Sequence, residues 1–200
     1  MRQPAGPRQY CPDVKRSLPI LFAALLAIGG CGKSDKKTDS AEKTTTTAAA
    51  EETLLVLEVE GLGLTTADSG KISHIPFGAA HDGALSAVGE ALGDANDDGP
   101  QPDCPAGPAV ITQYDELTLT FQNGSFVGWT VPDDSSLTTA DGIGIGTTVA
   151  ELKDAYGEVN IDEASIGNIF AAGDLFGLVD TNDDDGKVTA FWAGTTCIFD

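Results

Sequence analysis

Apolar positions along this chain fall into three patterns, each predicting a different kind of element. Leu18 to Ile28 is a run of eleven residues interrupted only by Pro19. That is too short to cross a bilayer, which takes about 20 helical residues. Leu54 to Glu60 begins apolar and then alternates apolar with acidic residues, as a half-buried strand does. A turn-rich stretch follows it. From Gly78 the period becomes helical, with Ala84, Leu85, Val88 and Leu92 on one face and Gly93 as the stop. The helical period returns at Thr148, which is spaced from Glu151 as a capping box. Val149, Leu152 and Tyr156 form the apolar face of this second helix, and Gly157 ends it.

Each helix is followed by an irregular stretch and then by a strand pair. Leu117, Leu119 and Phe121 alternate with polar residues, Asn123-Gly124 is a strong hairpin signal, and Phe126 to Val131 returns with Trp129. Later, Leu175 to Val179 leads through the polar run Asp180 to Gly186 into Val188 to Trp192. Phe126-Val127-Gly128-Trp129 matches Val188-Thr189-Ala190-Phe191-Trp192, which predicts two copies of one unit, over about 75–135 and 143–199. The expected fold class is α+β: two helix-plus-antiparallel-β repeats, with the helices packed on a small antiparallel sheet.

Charge divides the chain sharply. Eight of its eleven basic residues precede Thr53, and from there on three lysines face 25 Asp and Glu, a formal charge of −22. Such a surface repels phosphate backbones and has almost no cations with which to release counterions, so nucleic acid is excluded as a partner. Cationic or neutral partners and divalent ions remain, as does acidity serving solubility alone.

Lys15 and Arg16, the apolar run, and then Gly29-Gly30-Cys31 follow the order of a secretory signal ending in a lipid-accepting cysteine. The segment resembles the lipobox signal of bacterial lipoproteins. That resemblance implies cleavage after Gly30, a diacylglyceryl group on the Cys31 thiol, and a protein anchored in a cell or outer membrane, facing the periplasm or the exterior. Two acyl chains suffice for stable anchoring. Residues 1–30 then form the signal peptide, and translation starting at Val14 rather than Met1 would give it a compact basic end. Residues 31–52 form a tether, poor in apolar residues, whose reach as a coil is about 25 Å. Residues 53–200 form the acidic folded domain. Its glycine-helix-glycine-strand order looks like the tandem β-lactamase-inhibitor-like proteins and the small lipoproteins of outer-membrane assembly, and Phe126 to Trp129, Leu137 to Gly146 and Ala155 to Gly157 look like stretches of uncharacterised actinobacterial-type lipoproteins. None of these resemblances supplies a site residue.

Candidate chemistry is sparse. Cys104 and Cys197 are the two cysteines of the expected mature domain, and export would place them where disulfides persist, so they are expected to pair. Closing a loop of roughly 90 residues stabilises by about 2 to 4 kcal/mol. Asp94 to Gly99 fits the first half of a calcium loop, but Pro105 stands where the bidentate carboxylate is needed. Asp180 to Gly186 has the same flavour with one residue too many, so no metal site or other cofactor is expected. His74 and His81 are the only histidines, without a nucleophile elbow or enough partners for zinc. Gly142 to Gly146 lacks dinucleotide-loop spacing. Trp129 and Trp192 read first as core and second as anchors of a binding face. The function expected is a non-enzymatic, lipid-anchored interaction module of the envelope with a protein partner. The alternatives are an envelope hydrolase or transferase using carboxylates and His81, and a weakly calcium-dependent structural protein.

Overall fold

The structure is a computed structural model and describes residues 53–66 and 70–198. Cys31, the apolar run and the tether lie outside the described residues. The described residues belong to one compact unit, Thr47–Asp200.

Eleven strands and two helices make up the described residues. They run β1 (Thr53–Glu58), β2 (Gly61–Thr66), β3 (Ile72–Pro76), α1 (His81–Leu92), β4 (Asp97–Gln101), β5 (Ala109–Gln113), β6 (Thr118–Gln122) and β7 (Ser125–Val131). After these come α2 (Val149–Tyr156), β8 (Asn160–Ala164), β9 (Gly167–Ala172), β10 (Leu175–Val179) and β11 (Val188–Gly194). The first three strands form a small antiparallel sheet. The other eight form one continuous sheet, in the order β4-β5-β6-β7-β11-β10-β9-β8. Its centre is the antiparallel pairing of β7 with β11, Trp129 opposite Ala193 and Val131 opposite Phe191.

Local chemistry sets these elements. Asn123 and Gly124 both take positive φ, 51° and 78°, and so turn β6 into β7 with the twist that a tight hairpin requires. The Thr148 hydroxyl accepts the Glu151 N–H at 3.2 Å while the Glu151 carboxylate accepts the Thr148 N–H at 2.9 Å, closing both halves of the capping box that starts α2. Two further first-turn donors of α2 are satisfied from outside the helix: Val149 N–H bonds Gly186 O at 2.8 Å, and Ala150 N–H bonds Asp184 O at 3.0 Å.

The expected two-repeat α+β architecture is not what forms. The protein is mostly β, and its eight-stranded sheet is one surface rather than two small sheets each with its own helix. Helix α1 packs chiefly on β1 and β2 of the three-stranded sheet. The two tryptophans of these strands are not equivalent. Trp129 is fully buried beside Phe191, with ring centroids 5.6 Å apart, whereas Trp192 points to the opposite side of the sheet. Both strands carry a bulge at the same place: β7 passes over Val127 against β6 and β11 passes over Thr189 against β10, so Trp129 corresponds to Phe191 and Trp192 to Thr130. The stretches read as turns or irregular structure hold β2, β3, β4, β5, β8 and β9. Two of them, Asp-Asp-Gly-Pro-Gln in β4 and Asn-Ile-Asp-Glu-Ala in β8, are poor in strand-forming residues, and neighbouring strands supply the order.

One core lies between the inner face of the large sheet and the elements above it. Leu55, Leu57, Leu62, Leu64 and Ile75 come from the small sheet, Ala84 and Val88 from α1, and Val149 and Leu152 from α2. Trp129 locks this arrangement, its indole N–H donating to Glu58 O at 2.9 Å. At about 25 cal/mol per Å², a buried aromatic of 150–250 Å² contributes several kcal/mol.

Candidate functional site

The outer face of the large sheet concentrates side chains that the core does not take. Cross-strand register places Trp192 beside Phe176 and Thr130, and Phe176 beside Ala171. One row further along, Ala190, Leu178 and Ile169 follow one another across β11, β10 and β9. Trp192, Phe176, Leu178 and Ile169 are half-buried, and none of them belongs to the core cluster or packs against it. They form an apolar surface on β9 to β11. Its border is acidic: Asp162 on β8, the cross-strand neighbour of Ile169, and Asp174 in the β9–β10 turn are both exposed.

The two edges of this sheet resist strand addition. β4 carries Asp97, Asp98 and Pro100, and β8 carries Asp162 and Glu163. Charge and proline on edge strands suppress pairing with another chain. The small sheet has its own outward row of Leu54, Thr65 and Ile72, where Leu54 and Ile72 are about half exposed at 51% and 50%.

Cys104, between β4 and β5, is bonded to Cys197 across 93 positions, with the sulfurs 2.07 Å and the Cα atoms 5.0 Å apart. The chain end is thereby brought over the sheet. Gly194, at φ 72°, turns it out of β11, and Thr195 N–H bonds Val127 O at 2.8 Å.

The histidines are apart. His74 Nδ1 lies 3.0 Å from both carboxylate oxygens of Glu58, exposed on the small sheet. His81 opens α1 and sits between two acids, with Nδ1 3.1 Å from Asp82 Oδ1 and Nε2 3.6 Å from Asp98 Oδ1. Its ring rests on Phe121 at 4.4 Å, and its Nε2 is buried without a hydrogen bond. Asp98 instead accepts from the Thr112 hydroxyl at 2.6 Å. The cavity beside His81 is lined by Asp98, Val110, Phe121 and Asn123 among others, and none of its lining residues carries a hydroxyl, thiol or amine to act as nucleophile.

The two calcium-like runs have other occupations. Asp97 to Gly99 is part of β4, so its alternate oxygens are drawn out along a strand rather than folded into a cage. In the second run, Asp180 Oδ1 accepts from Thr181 N–H at 2.7 Å and from Lys187 N–H at 2.6 Å, and Asp184 pairs with Lys153 Nζ at 2.7 Å. Together with the carbonyls that cap α2, this makes the loop a helix-docking device. Among the described residues no group of three His, Cys, Asp or Glu side chains converges as a metal-ligand set. Gly142 to Gly146 is structural too: Ile143 is buried, and Gly146 N–H bonds Val188 O at 2.8 Å.

Sequence reading set Trp129 and Trp192 together as a pair, and the structure separates them. The one signal that could have found Trp192 is the Phe191-Trp192 doublet, because a strand cannot bury two adjacent large side chains on one face. Comparison of the chain with protein-family models, with curated proteins and with solved structures finds no match.

Proposed function

We propose that this chain is a lipid-anchored envelope protein, held through Cys31, whose folded domain is a non-enzymatic interaction module. Its docking face is the outer surface of β9 to β11, and its partner is an envelope protein with a basic rim around an apolar centre. The observation that carries the reading is the cluster of Trp192, Phe176, Leu178 and Ile169 outside the core and inside an acidic border. An aromatic anchor with an aliphatic surround is the usual composition of an energetic hot spot, and the border steers a cationic partner. A second copy of this chain is disfavoured, because two domains of −22 each would have to meet. Strand addition is disfavoured by the charged edges.

A photoreactive phenylalanine analogue at position 176 tests the docking face in the tethered protein, with the same analogue at exposed position 155 on α2 as the control. The expected result is one discrete adduct from position 176, with a basic protein, weakening as salt is raised. Equal labelling from both positions, no adduct, or an adduct of twice the chain's mass overturns it. The anchor is tested separately by Cys31→Ala, which should release the domain in soluble form.

One observation favours a second reading, an envelope hydrolase or transferase using carboxylates and His81: the imidazole lies between Asp82 and Asp98 at the mouth of a cavity. It lacks a hydroxyl, thiol or amine there, so it would need His81 to activate water or the Asp98 carboxylate to attack. Replacing His74 and His81 together should leave partner binding intact under the first reading and abolish turnover under the second.

A further inference from the structure

The half of the outer face on β4 to β7 differs in kind from the apolar half. Gln113 on β5, Thr118 and Thr120 on β6, and Thr130 on β7 line a cavity of about 340 Å³. A flat sheet has no cavity. This one exists because the chain end crosses the sheet. The Thr195 carbonyl stands so close over Gly128 that a Cβ there would lie 2.0 Å from it, and the cross-strand neighbour of Gly128, Thr120, is 1% exposed. Beyond Thr195, Cys197 and Ile198 line the cavity, held by the bond to Cys104, together with Asp97, Gly99, Pro100 and Gln101 of β4.

We propose that this cavity binds a neutral, hydroxyl-rich small molecule of the sugar class, and that the Cys104–Cys197 bond builds the site by holding its wall. The volume lies at the lower end of the range for small-molecule pockets, roughly 300–1,000 Å³. Threonine hydroxyls and glutamine amides each both donate and accept, which matches a ligand whose every group does the same. Ile111 and Ile198 offer apolar contact for the C–H face of a ring. No lysine or arginine lines the cavity and Asp97 does, so an anion finds no partner and a negative charge. A single carboxylate is too few for a divalent cation. The residues are distinct from those of the apolar docking face, so either assignment can fail alone.

The test uses ligand-observed NMR on the full chain with N,N′-diacetylchitobiose, maltose and glucose 6-phosphate as probes. At least one neutral disaccharide should bind with a millimolar or tighter constant, and the phosphate should bind more weakly than that disaccharide. Thr118→Val, at a half-buried position where the fold survives, should weaken binding about tenfold, as loss of one hydrogen bond does. The paired Cys104→Ser/Cys197→Ser protein should lose binding while keeping its sheet by circular dichroism. Absence of binding by both sugars, a Thr118→Val protein that binds equally well, or tighter binding of the phosphate overturns the ligand class. Undiminished binding by the double-serine protein overturns the role of the bond.

Discussion

Removing the Cys104–Cys197 bond is the perturbation whose cost can be worked most directly. The bond spans 93 positions, and cross-linking a loop of about 100 residues removes roughly 4.7 kcal/mol of chain entropy from the unfolded state. Native bonds of this kind deliver about 2–5 kcal/mol when measured. The folded state should change little, because β11 is held independently of the sulfurs. Four of its residues pair with β7, five with β10, and Thr195 N–H keeps its bond to Val127. The Cys104→Ser/Cys197→Ser protein should therefore fold with its sheet intact and lose about 3–4 kcal/mol in a urea titration. At about 2–4 °C per kcal/mol for a domain near 150 residues, the thermal midpoint should fall by roughly 10 °C. Because the effect acts on the unfolded chain, the folding rate should carry part of the loss. A double-serine protein within about 1 kcal/mol of the native one would refute the entropic account. Loss of sheet signal would refute the claim that β11 holds by itself.

Three further outcomes follow from named contacts. Thr148→Ala removes one half of the capping box of α2 and should cost about 1 kcal/mol in urea titration. Gly177→Ala places a Cβ 2.3 Å from both Ala190 O and the Phe170 ring, so overpacking should cost about 3 kcal/mol, and a neutral variant would mean that β10 and β11 are wrongly spaced. For pH, Glu151 is held below its ordinary 4.5 by the Thr148 N–H and then the Thr148 hydroxyl. A lowered native value gives stability that is full above 4.5 and lost as pH falls through the native value, so the gap between native protein and Glu151→Gln should narrow in acid below about 4.5. A gap that widens there would reverse the assignment. With −22 on the domain, the thermal midpoint should also rise between roughly 10 mM and 1 M salt, and a flat response would remove self-repulsion as a term in stability.

Elements with a local cause were legible in the sequence and those with a distant cause were not. Helix α2 begins at Thr148 with Glu151, and both helices end at glycines, 93 and 157, whose N–H groups return to Gly89 O and Lys153 O. The start of α1 has no side-chain cap and is held from the β6–β7 hairpin, His81 N–H bonding Gly124 O at 3.0 Å. The β6–β7 hairpin is legible for the same reason at Asn123-Gly124. By contrast, β4 and β8 are acidic and short, and only β5 and β9 beside them make them strands. The likeness of Phe126 to Trp129 and Val188 to Trp192 reports strand chemistry alone. That the two strands join in one eight-stranded sheet is set by the pairing of β7 with β11, which neither segment marks by itself.

The candidate surface follows the same division. That Cys104 and Cys197 should meet could be read from their number and expected compartment, but not that their meeting would carry the chain end across Gly128. That crossing depends on a backbone approach with no sequence mark except the glycine itself. The acidity could be read at once and located only by the fold. It occupies the edges and rims of the large sheet and leaves the middle of its outer face apolar on β9 to β11 and hydroxylated on β6 and β7. If the charge served solubility alone, no apolar side chains would need to be left inside its border, because Trp192 or Phe176 could be replaced by threonine, as the other half of the same face is, at no cost to the core. An outer face that keeps four large apolar side chains in so charged a domain gives up solubility at that one place, and contact with a partner is the return that accounts for it.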